Sequence, residues 1–79
     1  MSEISKALFP AIVKWMELNH PASTVEEACN YYSTSEILAM CNDIIFDESL
    51  TEGILFNLLT QENYQIINAG GGLQRWIIK

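Results

Sequence analysis

Three segments of this chain carry the sequence of a helix capping box, and they constrain its fold more than any other feature. Residues 23–26, 33–36 and 49–52 each begin with a serine and end with a glutamate, and apolar residues at helical spacing follow. In such a box the serine side chain accepts a hydrogen bond from a backbone N–H of the first helical turn, while the glutamate accepts one from the serine N–H. Three boxes in a chain of 79 residues predict a protein built mostly of short helices.

The apolar periodicity predicts four helices. The first begins near residue 5 or at Pro10, because proline fits a first turn but not a helix interior, and it ends at Asn19 ahead of Pro21. The others are expected at residues 24–31, 34–45 and 50–59. Trp15 lies on the apolar stripe of the first helix, so we expect it in the core.

The last seventeen residues fit two different structures. Residues 63–67 and 73–78 are β-prone and flank three consecutive glycines, which fits a β-hairpin. Leu73, Trp76 and Ile77 also have helical spacing, which fits a last helix after a loop. The sequence leaves both alternatives open, and in both the glycines form the loop.

The charge of the chain argues against nucleic acid as a partner. It has ten acidic and four basic residues, a net charge of −6, and no Lys or Arg between Lys14 and Arg75. Binding to phosphates requires clustered basic residues. The uninterrupted apolar runs are also too short to span a membrane. We therefore expect a protein partner, with no nucleic acid and no membrane insertion.

No residue has the neighbours that catalysis or metal binding requires. Cys29 and Cys41 are expected to be buried free thiols, which is typical of a cytoplasmic protein. His20 has no second ligand at metal-binding spacing, and the glycine loop is not followed by the lysine of a phosphate-binding loop. The carboxylates at residues 43–52 are interrupted by apolar residues where a calcium loop needs oxygen ligands, which predicts a solvated acidic turn. We expect no catalytic residue, no metal and no cofactor, and hence no enzyme.

Four aromatic residues are the candidates for partner binding: Tyr31, Tyr32, Phe56 and Trp76. Aromatic side chains are enriched at the energetic centres of interfaces. We expect Tyr31, Phe56 and Trp76 to remain exposed together with Ile78, and we predict self-association, or binding to another helix or chain, centred on Phe56 and Trp76.

A series of short segments runs along the helical part of the chain: residues 11–16 with Trp15, then Pro21, and residues 25–28, 36–38 and 42–44. Their order resembles that of the N-terminal domain of the Hook proteins. Residues 62–66 resemble the family's D-N-W-R-hydrophobic element, with Tyr64 in place of its tryptophan, and residues 73–77 resemble the start of its next helix. The family's Asp-Gly before the third helix is Thr34-Ser35 here. The chain thus resembles the first half of that domain.

This resemblance implies an all-α, calponin-homology-like fold, a small orthogonal bundle of four to five short helices. Residues 1–79 would form a single domain or the N-terminal half of a larger Hook-like domain. The implied function is that of a cytoplasmic dynein adaptor, which links dynein and the microtubule cytoskeleton to cargo. The implied partner is the dynein light intermediate chain or the microtubule, and none of the family's binding residues is carried over to this chain.

The alternative to the Hook-like bundle is a winged helix. Three helices ending near Leu59 would be followed by two strands, residues 64–67 and 73–78, that form the wing. Residues 34–45 and 50–59 would be a helix-turn-helix, whose second helix carries Glu52 and no basic residue. Such a domain would be a small acidic regulator or inhibitor that binds a protein. A helix at residues 62–78 favours the Hook-like bundle, and a hairpin there favours the winged helix.

Overall fold

The computed structural model describes residues 8–68 and 70–79, and they contain both helices and strands. The elements are α1 (Pro10–Leu18), a 3-10 turn (Val25–Glu27), β1 (Asn30–Tyr32), α2 (Thr34–Ile44), α3 (Glu52–Gln61), β2 (Gln65–Asn68) and β3 (Gln74–Ile78). The expected all-α bundle of four to five helices is therefore wrong. The chain is a small mixed α/β protein.

The three strands form an antiparallel sheet in the order β1-β3-β2, with the C-terminal strand at its centre. Trp76 of β3 lies opposite Tyr32 of β1 and Ile66 of β2. The loop between β2 and β3 contains Gly70, Gly71 and Gly72, all with positive φ, a conformation that other residues adopt at a cost. The C-terminal segment is therefore a hairpin, one of the two structures that the sequence allowed.

The order helix, strand, helix, helix, strand, strand, with β3 between β1 and β2, is the arrangement of a winged helix. In it α2 and α3 are the helix-turn-helix and the β2–β3 hairpin is the wing. This is the alternative that a hairpin favours. The bundle implied by the Hook resemblance needs a helix where β3 lies.

The helix expected at residues 24–31 is also absent. Thr24 accepts a hydrogen bond from the Glu27 N–H, but this turn ends after three residues. The Cys29 N–H then donates to the Ile78 carbonyl at 2.8 Å, and β1 pairs with β3. Tyr31 and Tyr32 favour a strand, and pairing with the central strand satisfies the backbone groups that β1 directs towards β3.

One hydrophobic core joins the helices to the inner face of the sheet. Trp15 is buried in it, as expected, and its ring lies 5.7 Å from that of Tyr64. The Tyr64 hydroxyl donates to the Asn19 carbonyl, which ties the end of α1 to the start of β2. The buried residues of this cluster are Ala11, Ile12, Trp15, Ile37, Cys41, Leu50, Leu55, Leu58, Leu59, Tyr64, Trp76 and Ile78.

In the described part of the chain, no helix has the length and apolar character needed to cross a bilayer.

Candidate functional site

The helix-turn-helix formed by α2 and α3 has a well-defined local structure. Ser33 caps α2 with a complete capping box, in which its side chain accepts from the Glu36 N–H at 3.1 Å and the Glu36 carboxylate accepts from the Ser33 N–H at 3.1 Å. Hydrogen bonding of the Glu36 carboxylate by the backbone N–H of Ser33, and secondly by the Ser33 side chain, holds the pKa of Glu36 below its ordinary value. Thr51 caps α3 by accepting from the Ile54 N–H.

The turn between the two helices is held by a network around Asp47. The Ser49 N–H and hydroxyl both donate to one Asp47 carboxylate oxygen, at 2.9 and 2.6 Å. The Asp47 N–H donates to the Asn42 side chain, and the Leu50 N–H donates to the Asp47 carbonyl. Leu50 is buried, so the turn is anchored to the core at its far end.

This helix-turn-helix is acidic throughout. Residues 34–61 contain five carboxylates and no Lys, Arg or His. Helix α3 exposes one carboxylate, small residues and amides, namely Glu52, Gly53, Asn57, Thr60 and Gln61. It also exposes about a third of Ile54 and of Phe56. The Coulomb field of this helix-turn-helix repels a phosphate backbone.

The wing adds little positive charge to this surface. Arg75 is half-buried in β3, and its guanidinium donates to the Gln74 carbonyl at 2.9 Å. Lys14, on α1, lies 3.7 Å from Glu17. Neither cation forms the basic stripe that a nucleic-acid surface requires.

The aromatic residues proposed for partner binding occupy different positions. Tyr31 is exposed and Tyr32 is half-buried. Phe56 is 37% exposed, and its ring meets the edge of the Trp76 ring at 5.2 Å. Trp76 is only 1% exposed, and its indole N–H donates to the Thr34 hydroxyl at 2.9 Å.

The expectation that Trp76 and Ile78 stay exposed is therefore wrong, because both point from β3 into the core. An apolar patch centred on Phe56 and Trp76 does not exist. The four aromatic residues do not converge on one open surface, although Phe56 still presents about a third of its side chain to solvent.

The structure exposes a different apolar group, which the sequence reasoning missed. Ile44, Ile45 and Phe46 lie at the end of α2 and are all exposed. The signal was in the sequence: three consecutive large apolar residues stand between Asp43 and Asp47. Helical spacing alone puts Ile44 and Ile45 on the apolar stripe of α2 with Ile37 and Cys41, which would bury them.

The two cysteines differ from each other. Cys41 is buried, as expected, and burial raises the pKa of its thiol to about 11. Cys29 is exposed, so the expectation of two buried thiols is wrong for it. Val25 is exposed as well, because the turn that contains it is only three residues long and is not the predicted helix.

Within residues 8–68 and 70–79, no three His, Cys, Asp or Glu side chains are grouped so that they could hold a metal ion. No match was found among protein-family models, curated proteins or solved structures, so the site is interpreted from its own geometry.

Proposed function

We propose that this chain is an acidic winged-helix regulator or inhibitor that acts by binding another protein. The observation that carries the proposal is the combination of a helix-turn-helix with five carboxylates and no basic residue in residues 34–61. A DNA-binding winged helix places Lys and Arg at those positions to contact phosphates. The same scaffold with the opposite charge suits a partner whose surface is basic.

The binding mode follows from the fold. A winged helix presents a rigid helical pair, and rigid elements lose little conformational freedom on binding. The proposed function requires no catalytic residue, because complementarity of charge and shape is sufficient for binding. A cytoplasmic location remains part of the proposal, since it suits the free Cys29 and Cys41.

The dynein-adaptor function implied by the Hook resemblance stays a prediction. Its all-α fold is not the fold of this chain, so the geometry lends it no support. We therefore propose the winged-helix regulator in preference to it.

A gel-shift assay with duplex DNA at low salt tests the proposal, because electrostatic screening is weakest there. We expect no shift by the wild-type chain at about 10 μM, a concentration within the usual range of non-specific DNA binding. Micromolar, salt-sensitive binding to DNA would overturn the proposal.

A triple variant serves as the matched control: Glu52→Lys, Asn57→Lys and Gln61→Lys. All three side chains are exposed on α3, so the substitutions make this helix basic and change no buried residue. We expect this variant to acquire salt-sensitive DNA binding. That result would show that charge, and not the shape of the scaffold, keeps the natural chain off DNA.

A further inference from the structure

The end of α2 presents an apolar surface that nothing in the described part of the chain covers. Ile44, Ile45 and Phe46 are 39%, 47% and 73% exposed, and Phe46 is the most exposed large apolar side chain of the described residues. The three residues are consecutive, so their exposed apolar area is confined to one short segment, and leaving it in water is unfavourable. We refer to residues 43–52 as the acidic turn.

The acidic turn is held in place rather than loose. The Ile45 N–H donates to the Cys41 carbonyl, which is the last bond of α2. Beyond Phe46, Asp47 is fixed by its bonds to Ser49 and Asn42. Phe46 therefore projects from a segment that is tied on both sides, and docking against it orders little additional backbone.

Carboxylates surround this apolar surface. Asp43 precedes it, Asp47 and Glu48 follow it, and Glu52 begins the next helix. The hydrogen bonds from Ser49 lower the pKa of Asp47, so it remains ionised well below neutral pH. No Lys or Arg occurs between Lys14 and Arg75 to neutralise the group.

The charge selects among the possible occupants. A second copy docked turn to turn would oppose like charges across the interface, which costs binding energy. An anionic membrane and a nucleic acid are repelled for the same reason. What remains is a partner with apolar side chains at its centre and positive charge on both sides.

We propose that the acidic turn is the docking surface for a basic amphipathic helix of a partner protein. Two apolar side chains at i and i+4 of a helix lie about 6 Å apart, so one face of a short helix can present a pair of them to these residues. Lys and Arg beside that stripe would meet the carboxylates of Asp43, Asp47 and Glu48. Phe46 would be the apolar residue that becomes buried at the centre of the interface, and the carboxylates would form its polar rim.

This inference rests on the proposed function and can fail without it. The probe is a designed amphipathic Lys/Leu helix, titrated into the isotope-labelled full chain while backbone amide shifts are followed by NMR. A Glu/Leu helix of the same length and a Lys/Ser peptide without apolar residues are the matched controls. We expect saturable shifts centred on the acidic turn with the Lys/Leu helix alone, and weaker binding when salt rises from about 50 to 300 mM.

Two variants locate the binding site. Phe46→Ser is expected to weaken binding of the Lys/Leu helix at least about tenfold, as loss of an interface anchor does. Leu18→Ser, which removes another exposed large apolar side chain but lies on α1, is expected to leave the affinity within about twofold, as a residue outside the contact does. The dispersion of the amide spectrum shows that each variant is folded.

Equal affinity for the wild type and Phe46→Ser would overturn the inference, and so would shifts centred outside residues 43–52. Binding of the wild type, but not Phe46→Ser, to phosphatidylcholine vesicles would also overturn it in favour of a lipid surface. If these results occur and DNA still does not bind, the inference fails while the proposed function stands.

Discussion

The two tryptophans of the chain are buried in different chemical settings. The indole N–H of Trp15 has no hydrogen-bond acceptor among the described residues, whereas that of Trp76 donates to the Thr34 hydroxyl. Trp15 therefore stabilises the fold through packing alone, against Tyr64 and the surrounding aliphatic side chains. An unpaired buried donor subtracts from that contribution.

Replacement of Trp15 by alanine is expected to lower the free energy of unfolding by about 3–5 kcal/mol, because it leaves a large cavity. That is a large part of the total for a domain of this size, which is about 4–12 kcal/mol. Chemical denaturation measures the loss. Leu18→Ala, on the same helix but exposed, is the control and should cost less than about 0.5 kcal/mol. A Trp15→Ala variant with wild-type stability would contradict this packing.

Cys41 should make the protein less stable at alkaline pH. Burial raises its pKa to about 11, above the value of about 8.5 in an unfolded chain. As pH rises through this window, the unfolded thiol loses its proton first, so the unfolded state gains stability relative to the folded state. The free energy of unfolding should fall by up to about 1.4 kcal/mol per pH unit above pH ~8.5.

Denaturation curves at pH 7, 8.5 and 9.5, below most of the tyrosine and lysine titration, measure this dependence. Cys41→Ala should lower stability at pH 7 and flatten the slope, while Cys29→Ala, at an exposed thiol, should leave the slope unchanged. The same slope in Cys41→Ala and the wild type would rule out Cys41 as its source.

At the scale of elements, capping chemistry decides where each helix begins. Of the three predicted capping boxes only residues 33–36 form one. At residues 23–26 the cap moves by one residue, so that Thr24 accepts from the Glu27 N–H. At residues 49–52 it moves to Thr51, because Ser49 is bound to Asp47 instead.

The capping box of α2 gives a testable difference between two serines. Ser33→Ala removes the acceptor of the Glu36 N–H and should lower the free energy of unfolding by about 1 kcal/mol. Ser23→Ala is the matched control, since Ser23 acts through its backbone N–H, which donates to the Glu27 carboxylate. It should change stability by less than about 0.5 kcal/mol. Equal losses in urea denaturation would refute the assignment of the cap.

The sequence predicted the long helices better than the strands. The pattern placed α2 within one residue of its observed end, and α1 begins at Pro10, one of the two starts that the sequence allowed. The other, near residue 5, lies outside the described residues. It missed β1, because three residues are too few to show a two-residue period. Their strand conformation depends on pairing with β3, which is more than forty residues away in the chain, and local propensity carries no information about that pairing.

The binding surface was hidden for a related reason. Ile44 and Ile45 have the spacing of a buried stripe, yet α2 ends at Ile44 and the chain turns away from the core. Apolar residues at a helix end are buried only if a neighbouring element reaches them. The position of such neighbours is a property of the tertiary structure, so periodicity alone could not assign Phe46 and its neighbours to the surface.

At the scale of the whole molecule, the sheet is what separates this fold from the bundle that the Hook resemblance implies. That resemblance rests on the order of short segments in the helical part of the chain. β3, the central strand, is the last element, and it pairs with segments from both sides of the helix-turn-helix. The sheet therefore forms only when β3 pairs with both β1 and β2.

Trp76 links these parts, since it belongs to β3, contacts Phe56 of α3 and donates to Thr34 of α2. We therefore expect the hairpin and the helices to unfold together, in one transition. Trp76→Ala should lower the free energy of unfolding by about 3–5 kcal/mol. Trp76→Phe, which keeps a ring against Phe56 but loses the N–H donor, should cost less, about 1–3 kcal/mol.

Urea denaturation tests this with two signals, circular dichroism for the helices and tryptophan fluorescence. In the two Trp76 variants the fluorescence comes from Trp15 alone. Gln74→Ala, at an exposed position of the same strand, is the control and should behave as the wild type does. The two signals should share a midpoint in every variant, and the midpoint should fall from Gln74→Ala through Trp76→Phe to Trp76→Ala. If Trp76→Ala kept its helical signal and the Trp15 environment at the wild-type midpoint, the helices would be stable without β3. The sheet would then contribute little to the stability of the helices, and the two parts would not unfold as one cooperative unit.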